Sequence, residues 1–231
     1  MAYAVLPALL PDIEKVYDCY FAAFQADPSG RRLLDILFPR GVTSPSFRRA
    51  QAEATASYWR GADAQYTFKC VEAQTGAIVG MALCDIFVRR QDVTPPPEGA
   101  AQRGGDSSDG EWPGIPWLEG EEKARAERVV KPLWEMREKL WGGKRYIYVH
   151  VFAVHPDHQG RGAGTALVQH IVDVGAATGL PIYLESAPTS TRLYEKLGFQ
   201  RMRESVVHKA EALGAEEDVT VPLMVRWPSR K

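Results

Sequence analysis

Hydrophobic positions along the chain switch between two periods, and the switches mark the elements. Tyr3 to Leu6 reads as a first strand. From Asp12 to Phe24, Ile13, Val16, Tyr17, Tyr20 and Phe24 fall on one side of a helix, with Asp12 placed as its N-cap. Ser44 or Ser46 is placed to cap a second helix through about Trp59. "QYTFKCVEA" and "AIVGMALCDIFV" then read as strands of a hairpin that turns at Thr75-Gly76. Glu119 to Trp141 is helical, with Val130, Leu133, Trp134, Leu140 and Trp141 near one face and Gly142-Gly143 as the stop. Pro132 predicts an interruption or restart within that helix.

From Tyr146 the period returns to that of a strand. Ile147, Val149, Val151 and Ala153 make one face, and Tyr146, Tyr148, His150 and Phe152 the other. "GTALVQHIVDVGAATG" is a helix by the recurrence of Leu167, Val168, Ile171, Val172, Val174 and Ala176. "PIYLES" is a short buried strand, and "TSTRLYEKLGF" a short helix ending at Gly198. Phe199 to about Val207 and Val219 to Val225 complete the strands. This order predicts a mixed α/β sheet with helices packed on it.

Composition changes that picture only locally. Lys+Arg 28 against Asp+Glu 29 leaves a formal charge of −1, so no global field draws nucleic acid or an anionic membrane. From Arg90, "RRQDVTPPPEGAAQRGGDSSDGEWPG" is rich in Pro, Gly, Ser and Asp and predicts a flexible loop. Cys19, Cys70 and Cys84 form no CxxC pair and no metal-ligand spacing, which suits a reducing compartment and no bound metal. The start "MAYAVLPALLPDIEKVY" has no basic leader region and is cut by Pro7 and Pro11. A soluble, cytoplasmic protein, monomer or homodimer, is expected.

One stretch resists a purely structural reading. "VHPDHQGRGAGT" delivers a strand into Gly160, Gly162 and Gly164 at the start of a helix. Unpaired N–H groups and the helix dipole favour an anion there, and bare glycines let the backbone approach phosphate oxygens. Arg161 adds a charge and Thr165 a hydroxyl. The spacing is neither that of a P-loop nor GxGxxG, since Leu167 stands where a third glycine would be.

"VHPDHQGRGAGTALVQHIV" resembles motif A of the Gcn5-related N-acetyltransferases, Gln/Arg-x-x-Gly-x-Gly/Ala, through Gln159, Gly162 and Gly164. "LYEKLGF" resembles the family's next signature. The resemblance implies an α/β fold with a mixed, mostly antiparallel central sheet flanked by helices, and two parallel strands splayed at the coenzyme site. It also implies that the main chain of Gln159, Gly160, Arg161, Gly162, Ala163, Gly164 and Thr165 holds the pyrophosphate of acetyl-CoA. The strand edge at Phe152, Ala153 and Val154 would pair with the pantetheine arm. On this reading residues 1–231 form one acetyltransferase domain with a loop and helix inserted at about 90–143.

Acetyl transfer from a thioester to an amine needs a deprotonated amine, a stabilised carbonyl oxygen and a proton for the thiolate. Tyr194 occupies the position where the family places the Tyr that protonates the thiolate; without the motif it reads as a packed core residue. His150, among aromatics on the strand leading to the coenzyme, is the candidate base. "YVHVFAVH" is similar to the catalytic strand of the serotonin (arylalkylamine) N-acetyltransferases, with Tyr148 replacing the first of their two histidines. Glu185 in "YLES" is the alternative base. His155 and His158 read as solvated loop residues. The family's Asn before the Tyr helix is absent from "SAPTST", leaving Ser186 or Ser190 to stand in its place.

Trp112, Trp117, Trp134 and Trp141 concentrate in the insertion. They read either as a satellite core or as a lid giving aromatic walls to an acceptor pocket. The expected function is acetyl-CoA-dependent transfer to a small primary amine by direct attack in a ternary complex. A protein or peptide acceptor, or a non-catalytic acyl-CoA-binding module, is the alternative, and a hydroxyl acceptor would use the same acid and base.

Overall fold

The computed structural model describes residues 2–62, 64–88 and 112–228. Most of the loop expected from Arg90 lies outside these residues. Seven strands form one sheet in the order β1-β2-β3-β4-β5-β7-β6: β1 (Tyr3–Pro7), β2 (Gln65–Glu72), β3 (Ile78–Phe87), β4 (Tyr146–Val154), β5 (Ile182–Glu185), β6 (Gln200–His208) and β7 (Val219–Arg226). Every neighbouring pair is antiparallel except β4 and β5. This is the mixed, mostly antiparallel α/β sheet expected.

Among the described residues seven α-helices accompany it: α1 (Ile13–Ala26), α2 (Pro28–Leu37), α3 (Pro45–Trp59), α4 (Gly120–Trp141), α5 (Ala163–Thr178), α6 (Thr191–Lys196) and α7 (Ala210–Leu213). Leu167, Val168, Ile171 and Val172 of α5 close one face of the sheet over Cys70, Ala82, Cys84, Ile147, Val149 and Leu184. On the other face Val16 of α1 packs with Met81 and Ala153. Farther along that face, Trp141 of α4 joins Tyr146, Tyr148, Tyr183 and Val225.

Several local expectations change. Ser44 caps α3 as expected, accepting the Phe47 N–H at 3.2 Å. Asp12 holds the N-cap position of α1 as expected, but its side chain makes no capping bond to that helix. A 3-10 turn over Leu10–Asp12 precedes that helix, and the Asp12 carboxylate instead accepts the Leu9 N–H at 2.8 Å and pairs with Lys69 at 2.6 Å. The hydrophobic pattern missed α2, although Asp27-Pro28 carries its start signal: Asp27 accepts the Gly30 N–H at 2.8 Å and Pro28 occupies the first turn. Nor does Pro132 break α4, which is one helix. Ala126 and Val129 anchor it in one cluster before the proline, and Leu133, Met136, Leu140 and Trp141 in another after it. Packing on both sides outweighs the lost hydrogen bond.

The largest departure is in β4. Leu83 pairs with Val151 and Cys84 with Val149, so His150 is an extra residue, a β-bulge. Alternation slips there by one position. Phe152 and Val154 pack with Ile147 and Val149 against the α5 face, while Val151 and Ala153 pack on the α1 face. The two-face assignment expected from the sequence therefore holds only up to the bulge.

At Gly80 in β3, a Cβ would lie 2.7 Å from the Ala153 carbonyl oxygen, a backbone atom that cannot swing aside. Gly80→Ala should cost about 1–3 kcal/mol, read as a lowered urea midpoint. An unchanged midpoint would mean that β3 and β4 tolerate separation.

Candidate active site

β4 pairs with β3 from Tyr146 to Val154, but with β5 only at Ile147–Ile182, Tyr148–Tyr183 and Val149–Leu184. β5 ends at Glu185 and turns away toward α6. From the bulge onward, β4 therefore has no strand on its β5 side. That opening is the splay the sequence led us to expect, and Phe152, Ala153 and Val154 form its edge.

The chain leaves β4 through a 3-10 turn at Pro156–His158. Gln159 folds back, donating its side-chain amide to the Val154 carbonyl at 3.0 Å. Gly160 has φ +69, and Gly162, the N-cap of α5, has φ +97. Both are left-handed positions that favour glycine, and a Cβ at either would meet no atom within 4 Å. The space before the helix is thus open. The first bond of α5 is donated by the Ala166 N–H to Gly162, so the N–H groups of Ala163, Gly164 and Thr165 have no partner within the helix. A backbone cradle for an anion, with Arg161 exposed beside it, fits the phosphates of a coenzyme.

Tyr194 of α6 is buried on the α5 face, with its ring 6.1 Å from Phe152 and 5.6 Å from Phe199. Burial pushes its phenol up to about 12, so it keeps its proton at neutral pH. The bulge brings Phe152 and Tyr194 together, since in unbroken alternation Phe152 would face the other way.

The opposite face carries a polar cluster. His150 Nε2 lies 2.6 Å from Asp85 Oδ2, and Gln65 donates to Asp85 Oδ1 at 3.4 Å. Burial works to raise Asp85, but His150 and Arg137 hold it below the usual carboxylate range. The Tyr148 ring lies 4.2 Å from that of His150, and its hydroxyl donates to Glu185 Oε2 at 2.9 Å. The Arg137 guanidinium, brought in by α4, sits 4.4 Å over the Tyr148 ring. Burial raises the Glu185 carboxyl, against the lowering influence of Tyr148 and Arg137. Its Oε1 is buried, and the Tyr183 hydroxyl adds a further lowering influence on the carboxyl.

Asp85 and Arg137 escaped the sequence reading. Both left a trace: an Asp inside the apolar run "ALCDIFV", and an Arg four residues after Leu133 on the apolar side of its helix. His158 is only half-buried, 3.9 Å from Glu72, rather than fully solvated. The Ser186 hydroxyl is committed to the Ala187 carbonyl at 2.7 Å. Among the described residues no group of His, Cys, Asp and Glu is arranged to hold a metal. No described helix is long and apolar enough to cross a membrane.

Residues 111–199, which span α4, β4, the glycine turn and α6, match the Acetyltransferase (GNAT) family. A curated relative from Ajellomyces capsulatus, "Probable acyltransferase SID5", is 32% identical over 117 residues, which cover 51% of this chain and 80% of that protein. The chain belongs to the GNAT acetyltransferase family. It is accordingly an acyltransferase. Its fold is also that of a mosquito arylalkylamine N-acetyltransferase like 5b, with TM-score 0.59 at 15% identity over 98% of this chain and 100% of that one. A histone acetyltransferase HPA2 and related acetyltransferase from Corynebacterium glutamicum gives TM-score 0.55 at 20% identity, over 100% and 99%. A phosphinothricin acetyltransferase from Sinorhizobium meliloti, solved in complex with AcCoA, gives TM-score 0.51 at 14% identity, over 99% and 90%.

Burial also raises Tyr148 and Tyr183, with the Glu185 carboxylate adding to it. Below the ordinary phenol range, folded and unfolded acetyltransferase alike keep these protons, and stability does not depend on them. Above it the unfolded chain releases them first, so stability falls as pH rises through the folded Tyr194 value, about 12. Phenolate absorbance should show a late group among the 9 tyrosines, ionising together with loss of helical circular dichroism. Uniform titration at about pH 10 in the folded protein would contradict the burial assigned to them.

Proposed function

We propose that this acetyltransferase moves the acetyl group of acetyl-CoA to a small primary amine by direct attack in a ternary complex. The observation that carries the reading is the end of β4–β5 pairing at Val149 and Leu184, beside the Gly162-capped start of α5. It supplies an open strand edge and an anion cradle in one place, which a pantetheine arm and a pyrophosphate require. Acetyl-CoA brings an activated thioester. The chain's residues hold it, take a proton from the amine and return one to sulfur.

In this scheme the free main-chain edge at Phe152, Ala153 and Val154 pairs with the amides of pantetheine. The N–H groups of Ala163, Gly164 and Thr165 hold the pyrophosphate, while Gln159 ties the turn to the strand end. His150 takes a proton from the amine as the N–C bond forms. Tyr194 gives its proton to the sulfur as the C–S bond breaks. Asp85 does not touch substrate; it is a positioning residue that fixes the imidazole through Nε2. Glu185 is the less suited base, because one oxygen is taken by Tyr148 and the other is buried.

Tyr194→Phe should lower kcat about 10²-fold and leave the acetyl-CoA dissociation constant within about twofold. Unchanged kcat would remove Tyr194 from the mechanism. His150→Ala should lose rate mainly at and below neutral pH, where the amine arrives protonated, and Asp85→Asn should share that profile in weaker form. A pH–rate profile unaltered in shape and height would acquit the pair.

The cradle has its own test. Gly162→Val and Gly179→Val both place a side chain at positive φ, +97 and +66, with no atom within 4 Å, at opposite ends of α5. Both should lose similar stability, but only Gly162→Val should weaken acetyl-CoA binding, by about tenfold or more. Equal binding by the two variants would sink the cradle assignment.

A further inference from the structure

The tryptophans of the 112–141 region divide into two groups. Trp112 packs edge-on against Trp134 at 5.6 Å, and Trp141 stacks on Tyr146 at 5.0 Å, so these three build secondary cores. Trp117 differs. It is 57% exposed, yet it is fixed, stacked on Phe38 with its indole N–H donated to the Leu37 carbonyl at 2.9 Å. An exposed aromatic held in one orientation is a ready binding wall.

Trp117 lines an open cleft of ≈ 720 Å³. Tyr17 of α1, Tyr58 and Trp59 at the end of α3, and Gln65 at the start of β2 make up its other principal walls. That volume suits a small molecule. The cleft also adjoins the polar cluster. Gln65, on its wall, donates to Asp85, and Asp85 holds His150. Among the described residues that line the cleft, Glu53 of α3 is the single charged one, exposed and without an ion-pair partner among them.

The geometry points to this cleft as the acceptor site, and to an acceptor that is a small dication. Its primary amine reaches His150, and a second cationic group, ammonium or guanidinium, lies against Glu53 between the faces of Tyr58, Trp59 and Trp117. The assignment rests on the small-amine reading above. Aromatic faces attract cations, and a carboxylate at their rim adds a charge partner. A purely apolar amine would gain nothing from Glu53, and an amino acid would set its carboxylate against Glu53. Chemical class follows from Glu53, the charged side chain that the described residues place on the cleft wall.

The test compares α,ω-diaminoalkanes of three to six carbons with n-alkylamines of the same length, following thiol release from acetyl-CoA at a pH where the distal amine is charged. The best diamine should exceed its matched monoamine about tenfold in kcat/KM, with an optimum at one chain length. Glu53→Gln should bring that ratio close to one, chiefly through the diamine's KM, and Trp117→Ala should raise the same KM. A ratio near one in the unmodified enzyme, or one that survives Glu53→Gln, would overturn the dication assignment while leaving small-amine transfer standing. No turnover with either series would overturn both.

Discussion

The site depends on a single constraint: β4 must satisfy β3 along its whole length while leaving β5 after three paired positions. A regular strand would not by itself diverge from its parallel neighbour. The extra residue at His150 increases the local twist, re-aims the side chains that follow, and coincides with the end of the β5 ladder. Phe152 thereby joins Tyr194 on the α5 face, and His150 stays beside Asp85 and Tyr148 on the other. The proposed acid and base thus approach the opening from opposite sides of the sheet. Two groups with opposed proton demands are kept from neutralising each other directly.

The glycine turn complements that opening. Its left-handed residues reverse the chain so that α5 begins at the end of β4, with its first N–H groups left over for a ligand. α5 is secured independently, through Leu167, Val168, Ile171 and Val172 against the sheet. The cradle therefore rests on a buried helix and inherits its rigidity, although the turn itself is exposed.

Much of this was legible in the sequence, and the failures have physical reasons. The strands from Gln65 to Phe87, the glycine-capped helix and the "LYEKLGF" helix could be read because period and punctuation agreed. The bulge could not, because alternation in "YIYVHVFAV" continues smoothly through His150 and only pairing with β3 reveals the surplus residue. Asp12 has the residue type of a cap but found a better partner in Lys69, more than fifty positions away, which no local rule anticipates. Pro132 obeys its local rule in losing a hydrogen bond, and tertiary packing overrides the consequence. Asp85 and Arg137 show that a charge on an otherwise apolar face marks a buried network, whose members only the fold can name.

Arg137 also changes the standing of the segment between β3 and β4. Those strands are antiparallel neighbours, and a short turn would be enough to join them. The chain instead departs and returns along α4, which sets a guanidinium over Tyr148 and lowers the charging penalty of both Glu185 and Asp85. Excising the excursion would leave two carboxylates in the sheet interior without their shared cation. α4 thus carries part of the sheet's electrostatic balance as well as its packing.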